Sequence, residues 1–116
     1  MGRGSARVSA SAPLAQLAKR IAARRARIGV IGLGYVGLPL AVEFAKEGFR
    51  VTGIDLDQRR VAGVNRARSY ILDVTSEDLR KMRRLNRLRA TSSFTALRAQ
   101  DAIIICVPTP LRKTRE

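Results

Sequence analysis

The sequence predicts an α/β fold with a doubly wound parallel sheet, and three observations lead to this prediction. A short apolar strand at 28–32 runs into a glycine-rich turn and then into an apolar helix. A second apolar strand, at 50–55, ends in an acidic residue. Strands and helices then alternate as far as an apolar strand at 102–107. Such alternation gives parallel strands joined by crossover helices, as in a Rossmann-type domain.

The turn after the first strand carries glycines at the G-x-G-x-x-G spacing, Gly32, Gly34 and Gly37. In this pattern the first glycine makes the tight turn, the second leaves room for phosphates, and the third lets the helix pack on the strand. The helix start offers free N–H groups and a partial positive charge. Asp55 stands 23 positions after Gly32, where a carboxylate can bond the ribose hydroxyls of a dinucleotide. The pattern therefore predicts a dinucleotide site.

The acidic residue at the end of the second strand also favours NAD over NADP. A carboxylate at Asp55 disfavours the additional phosphate of NADP, so NAD is the predicted cofactor. Arg59 and Arg60 could bind that phosphate, but a role on the helix surface is favoured for both.

Capping residues and apolar runs set the remaining elements. The first helix covers 35–47 and stops at Gly48, and Asp57 caps a helix that carries Val61 and Val64. Thr75 begins a third helix that ends near position 85. A strand at 88–91, a helical turn at 94–98 and the strand at 102–107 follow.

The predicted strand order is 3-2-1-4, which is the first half of a doubly wound sheet, truncated after the fourth strand. The fourth strand is apolar throughout, as expected for a strand buried on both faces. Because the fourth strand lies at an edge of the sheet, its exposed apolar edge would favour unwanted association with another chain.

The chain divides into a basic arm at 1–13, expected to be disordered, a leading amphipathic helix at 14–26, and a partial domain at 27–116. Leu14, Leu17 and Ile21 lie on one face of the leading helix. Its arginines and lack of acids are also typical of a transit peptide. A helix that packs on the domain is favoured, because no cleavage site is visible before the first strand.

Composition excludes several classes of function. The 116 residues carry a net charge of +14, but seven of the 23 basic residues and no acid lie within 1–27. Only five aromatic residues occur, so specific binding of nucleic acid is not expected. No apolar run approaches the roughly 18 residues of a membrane span. The absence of histidine excludes histidine-based metal sites and histidine acid–base catalysis, and no metal site is predicted. A single cysteine fits a reducing, cytoplasmic location.

The turn after the fourth strand lies where a cofactor crosses a sheet of this order. Thr109, between two prolines, offers a hydroxyl and backbone groups to the dinucleotide, although a simple strand-ending turn is an equal alternative. Cys106 is interpreted as a packing residue and not as a nucleophile, because no base is visible beside it.

From about Leu14 onward, the chain resembles the UDP-glucose/GDP-mannose dehydrogenase family, the nucleotide-sugar 6-dehydrogenases. The resemblance is carried by G-L-G-Y-V-G-L-P at 32–39 and I-I-I-C-V-P-T-P-L at 103–111, with G-I-D-L-D at 53–57 and V-x-x-V-N at 61–65. By residue-to-residue match it implies an NAD cradle formed by seven residues: Gly32, Gly34, Tyr35, Val36, Gly37, Asp55 and Thr109.

Within that family, S-Y-I-L-D-V at 69–74 and the leading helix look like the branch acting on UDP-N-acetylhexosamines, particularly UDP-N-acetylglucosamine 6-dehydrogenases. The resemblance implies oxidation of a sugar C6 alcohol to a carboxylate with two NAD. The family's cysteine, lysine and aspartate have no match here, and Cys106 is not that cysteine. A UDP-sugar would bind only through further domains, and the full-length form would be a possible homo-oligomer. The chain alone, as a fragment or truncated product, is expected to be inactive.

Two other functions stay open at the level of sequence. The chain could be a stand-alone dinucleotide-binding module, or a remnant, that acts on a partner through its fourth strand. It could also bind anionic surfaces through the basic segment 1–27.

Overall fold

The computed structural model describes residues 3–106, with side chains from residue 13 onward. Helices and strands alternate along these residues. In chain order they are α1 (Arg3–Ala22), β1 (Arg27–Ile31), α2 (Gly37–Lys46), β2 (Arg50–Ile54), α3 (Gln58–Asn65), α4 (Ser76–Arg84), β3 (Leu88–Thr91), a 3₁₀ helix (Phe94–Ala99) and β4 (Ala102–Ile105).

The four strands form one parallel sheet in the order β3-β2-β1-β4, which confirms the predicted order. Ile28 in β1 stands opposite Val51 in β2 and Ala102 in β4. Because all strands run the same way, their carboxyl ends share one edge of the sheet. The glycine turn, Asp55 and Cys106 follow β1, β2 and β4 directly and therefore lie together at that edge.

The core lies between the sheet and the helices α2, α3 and α4, which pack on β1, β2 and β3. Helix α2 shows why its sequence forms this layer. Leu38, Ala41, Val42 and Ala45 recur at helical spacing and are all buried, and Glu43 points to solvent. Burial of this stripe is the main source of the helix's stability, because ten residues alone form a marginal helix.

Both predicted N-caps are confirmed. The Asp57 side chain accepts a hydrogen bond from the Arg59 N–H at 2.9 Å, and the Thr75 hydroxyl accepts one from the Asp78 N–H at 2.9 Å. Gly48 follows α2 and ends it, because its φ of +105° is a left-handed conformation that favours glycine. These short-range signals fix where α2 ends and where α3 and α4 begin.

The prediction that β4 is buried on both faces was wrong. Ile104 packs against the core, but Ile103 and Ile105 are 46% and 66% exposed. The reason is that α2, α3 and α4 all lie on one face of the sheet. On the other face, Leu97 and Gln100 cover Gly29 of the neighbouring strand, and the described residues leave the outer side of β4 open.

The amino-terminal helix crosses position 13, where the sequence predicted a disordered arm to end and a helix to begin. Helix α1 begins at Arg3, continues through Pro13 and ends at Ala22, before the predicted end at 26. It stops there because Arg24 takes a left-handed conformation with φ 61°.

The predicted apolar face of this helix is only partly buried. Leu17 packs against the core, whereas Leu14 and Ile21 are exposed. An ion pair between Arg20 and Asp101 joins the helix to the domain. Within the described part of the chain, no helix combines the length and the apolar character that a membrane span requires.

Candidate functional site

The glycine turn brings the start of α2 against the end of β1. Gly32 has φ 96°, and its N–H donates to the Ile54 carbonyl at 2.8 Å. A Cβ atom at position 37 would lie 1.6 Å from the Gly32 carbonyl oxygen, so no side chain fits there. Gly37 therefore has the packing role that the spacing predicts, and only glycine permits this contact.

Within the described residues, the turn leaves backbone N–H groups without an acceptor at the carboxyl edge of the sheet. Helix α2 begins at Gly37, two residues later than predicted, because Tyr35 and Val36 form a turn before it. Over residues 13–106, the N–H groups of Gly34, Tyr35 and Val36 donate to no protein acceptor. The side chains of Tyr35 and Val36 are 75% and 55% exposed. Free donors at a helix start are what a phosphate group binds.

Asp55 supports this turn from the end of β2. Its Oδ2 accepts hydrogen bonds from the Leu33 N–H at 2.8 Å and from Arg60 at 3.2 Å, and its Oδ1 accepts one from the Asp57 N–H at 2.9 Å. The side chain is only 10% exposed. Burial by itself would raise the pKa of Asp55, but these three hydrogen bonds together outweigh it and hold the pKa below its usual range. Asp55 is thus a charged acceptor beside the glycine turn.

Arg60 belongs to the site, although the sequence favoured a position on the helix surface. Its guanidinium pairs with Asp55 and lies 3.5 Å from where a Cβ at Gly34 would stand. Its place one turn into α3 carries the side chain back over the carboxyl edge. Arg59 does stay on the surface, where it pairs with Asp57 at 3.3 Å.

Tyr70 is a site residue that sequence reasoning missed. Its hydroxyl donates to the Leu33 carbonyl at 2.7 Å, so the loop after α3 reaches the glycine turn. Burial raises the pKa of Tyr70, so that the hydroxyl remains a donor. The contact spans 37 positions of the chain, and no local pattern signals it.

Cys106 has the packing role that the sequence favours. Its N–H donates to the Ile31 carbonyl at 2.7 Å, and its Cβ would lie 3.3 Å from a Cβ at Gly37. Thr109, the last predicted cradle residue, lies outside the described residues. Among residues 13–106, no cluster of His, Cys, Asp and Glu side chains is suited to hold a metal ion.

A separate cavity of about 130 Å³ lies at the opposite, amino end of the strands. Four arginines line it: Arg27, Arg50, Arg87 and Arg89. Ligands of open α/β sheets bind outside the carboxyl ends of the strands, so this cavity is not the cofactor site.

The parallel sheet, the glycine turn and the acid after β2 define a Rossmann-type domain whose cofactor is NAD. Residues 26–116 match the model of the UDP-glucose/GDP-mannose dehydrogenase family, NAD binding domain. The chain therefore belongs to the UDP-glucose/GDP-mannose dehydrogenase family and corresponds to the NAD-binding domain of that family over residues 26–116.

Individual relatives agree with this assignment. The UDP-N-acetyl-D-glucosamine 6-dehydrogenase of Salmonella typhi is 39% identical over 90 residues, which are 78% of this chain and 20% of the relative. The UDP-N-acetyl-D-mannosamine dehydrogenase of Pyrococcus horikoshii is 36% identical over 86 residues, covering 73% and 21%. A ternary complex of GDP-mannose dehydrogenase from Pseudomonas aeruginosa superposes with a TM-score of 0.71 at 34% identity, covering 75% and 20%. The chain thus spans about a fifth of the length of these relatives.

The two glycines at the helix start should respond differently to the same substitution. We expect Gly37→Ala to lower the free energy of unfolding by several kcal/mol, because its methyl group would overlap the Gly32 carbonyl. Gly34→Ala should change it by less than about 1 kcal/mol, since its Cβ would make only an ordinary contact with Arg60. Urea unfolding of both variants measures this, and equal losses would contradict the assigned contact.

The lowered pKa of Asp55 predicts a dependence of stability on pH. Because the pKa in the folded state lies below the unfolded value of about 4, the stabilisation is complete above that value. It is lost as the pH falls through the folded-state pKa. We expect Asp55→Asn to be less stable than the wild type at pH 7, with a gap that narrows below about pH 4. Urea unfolding across this range is the measurement, and a gap that is constant with pH would refute the assignment.

Proposed function

We propose that this chain is the NAD-binding portion of a nucleotide-sugar dehydrogenase that oxidises the C6 alcohol of a UDP-sugar to the carboxylate with two NAD. The observation that carries the proposal is the glycine turn beside the charged Asp55, because the N–H groups of this turn at 34–36 donate to no acceptor among residues 13–106. The chain matches the family over residues 26–116. These features supply what a dinucleotide needs: donors for its phosphates and an acceptor for its ribose.

The residues present fit NAD by their chemistry. The N–H groups of Gly34, Tyr35 and Val36 would bind the pyrophosphate, and the small residue at Gly34 would let it approach. Asp55 would accept hydrogen bonds from the adenosine ribose, beside the guanidinium of Arg60. Thr109, which lies outside the described residues, would add a hydroxyl. NAD, when bound, supplies the hydride acceptor.

For the substrate, we favour a UDP-N-acetylhexosamine over UDP-glucose. The support is S-Y-I-L-D-V at 69–74 and the similarity to relatives named for UDP-N-acetyl-D-glucosamine and UDP-N-acetyl-D-mannosamine. GDP-mannose 6-dehydrogenase of Pseudomonas syringae is similar as well, at 37% identity, so identity alone does not separate the sugars. The sugar nucleotide would bind through parts of the protein beyond these residues, and the full-length form would be a homo-oligomer. A cytoplasmic location remains a prediction.

A second candidate is a dinucleotide-binding module without catalysis that acts on a partner. The outer side of β4, which residues 13–106 leave uncovered with Ile103 and Ile105 exposed, favours it. Both candidates bind NAD, so the affinity for NAD measured with and without a partner is the experiment that separates them.

The arrangement predicts a preference between the two nicotinamide cofactors. We expect NAD to bind at least about tenfold more tightly than NADP, equivalent to about 1.4 kcal/mol, because the Asp55 carboxylate would repel the extra phosphate. Asp55→Asn should narrow this ratio. Isothermal titration calorimetry measures both affinities.

The matched control for that titration is Arg59→Gln, which changes an exposed charge that pairs with Asp57 and does not contact Asp55. The ratio should stay as in the wild type. Equal affinity for NAD and NADP in the wild type would contradict the role of Asp55.

These 116 residues should not oxidise a nucleotide sugar by themselves. Cys106, their one cysteine, packs against the core beside Gly37, and the sequence contains no histidine base. We expect no NADH absorbance above background with UDP-N-acetylglucosamine, UDP-N-acetylmannosamine or UDP-glucose, from protein that binds NAD in the same buffer. Any nucleotide-sugar-dependent formation of NADH would overturn this prediction.

A further inference from the structure

We propose that Tyr70 is a positioning residue for the cofactor, because its hydroxyl fixes the Leu33 carbonyl and thereby directs the Gly34 N–H toward the pyrophosphate. The inference rests on the proposed binding of NAD at the glycine turn. It assigns to the loop between α3 and α4 a part in building that site.

The Leu33 residue is held at both of its backbone groups. Its N–H donates to Asp55 at 2.8 Å, and its carbonyl accepts from the Tyr70 hydroxyl at 2.7 Å. Its side chain is fully buried and packs against Gly53. Leu33 therefore has little freedom to rotate about its backbone while all three contacts are in place.

The Leu33 carbonyl and the Gly34 N–H belong to one planar peptide. In a trans peptide these two groups point in opposite directions, so the direction of one fixes the direction of the other. The described residues contain no cis peptide bond. When Tyr70 holds the carbonyl on its own side, the Gly34 N–H faces the opposite side, where it donates to no acceptor among residues 13–106.

The tyrosine ring is itself held in place. It lies over Gly63 of α3, where a Cβ would come within 2.9 Å of the ring atom Cδ2. The loop that carries Tyr70 is fastened by its neighbour, since the Ser69 N–H donates to Ser76 Oγ at 2.9 Å and the Ser69 hydroxyl bonds the Val74 carbonyl. The fixed loop and the contact of the ring with Gly63 thus hold the Tyr70 hydroxyl against the glycine turn.

Tyr70→Phe tests the role because it removes the hydroxyl and keeps the ring. The variant of the whole chain is titrated with ADP-ribose, which carries the pyrophosphate, and with adenosine, which does not. We expect about a tenfold weaker Kd for ADP-ribose, as for the loss of one hydrogen bond to a charged group, and a change of less than about twofold for adenosine. The amide resonance of Gly34 should also shift in the unliganded variant.

Two further variants separate positioning from stability. Gly63→Ala keeps the hydroxyl, but its Cβ would lie 2.9 Å from both the Arg68 carbonyl oxygen and the Tyr70 ring. It therefore displaces the ring together with the start of the loop, and it should show the same selective loss for ADP-ribose. Leu88→Ala removes a buried side chain at the amino end of β3, away from the glycine turn, and should lower the melting temperature without changing either affinity.

The outcomes distinguish the proposed role of Tyr70 from the proposed NAD site at the glycine turn, on which it rests. A selective loss for ADP-ribose in Tyr70→Phe supports the positioning role. Equal weakening of ADP-ribose and adenosine, or no weakening of either, overturns it while the binding of NAD by the wild type stands. A wild-type chain that binds adenosine but gains nothing from the pyrophosphate overturns both the role of Tyr70 and the proposed cofactor site.

Discussion

The close approach of α2 to the end of β1 is the constraint on which the site depends. A Cβ atom at Gly37 would lie 1.6 Å from the Gly32 carbonyl oxygen, so the helix can begin at the turn only because position 37 has no side chain. The same contact brings the N–H groups of Tyr35 and Val36, which have no acceptor in the described part of the chain, to the carboxyl edge of the sheet. One short segment, residues 32–37, therefore provides both the packing of α2 on β1 and the N–H groups for a ligand.

Two residues from other elements stabilise the conformation of that segment. Asp55 holds the Leu33 N–H from the end of β2, and Tyr70 holds the Leu33 carbonyl from the loop after α3. Asp55 also bonds Arg60 through Oδ2 and the Asp57 N–H through Oδ1, which leaves Oδ1 with a second acceptor position for a ligand hydroxyl. A turn that is already ordered binds a phosphate without a further cost in conformational entropy.

Local chemistry made the larger part of the fold predictable. The caps at Asp57 and Thr75, the end of α2 at Gly48 and the strand order each follow from short patterns, and all are confirmed. The contacts of Tyr70 and Arg60 could not be predicted in this way, because they depend on how distant segments meet at the sheet edge. The exposed side of β4 could not be predicted either, because it also depends on which segments cover the sheet. An apolar strand has the same sequence pattern whether one face or both faces are covered.

Mapping the amide resonances of the chain during a titration with NAD tests the central claim most directly. The account predicts that the largest chemical-shift changes fall on Gly34, Tyr35 and Val36, with smaller changes at Leu33 and Asp55. Changes centred instead on the four arginines at the amino end of the strands, 27, 50, 87 and 89, would show that NAD binds there as a general anion. That result would contradict a cofactor site at the glycine turn.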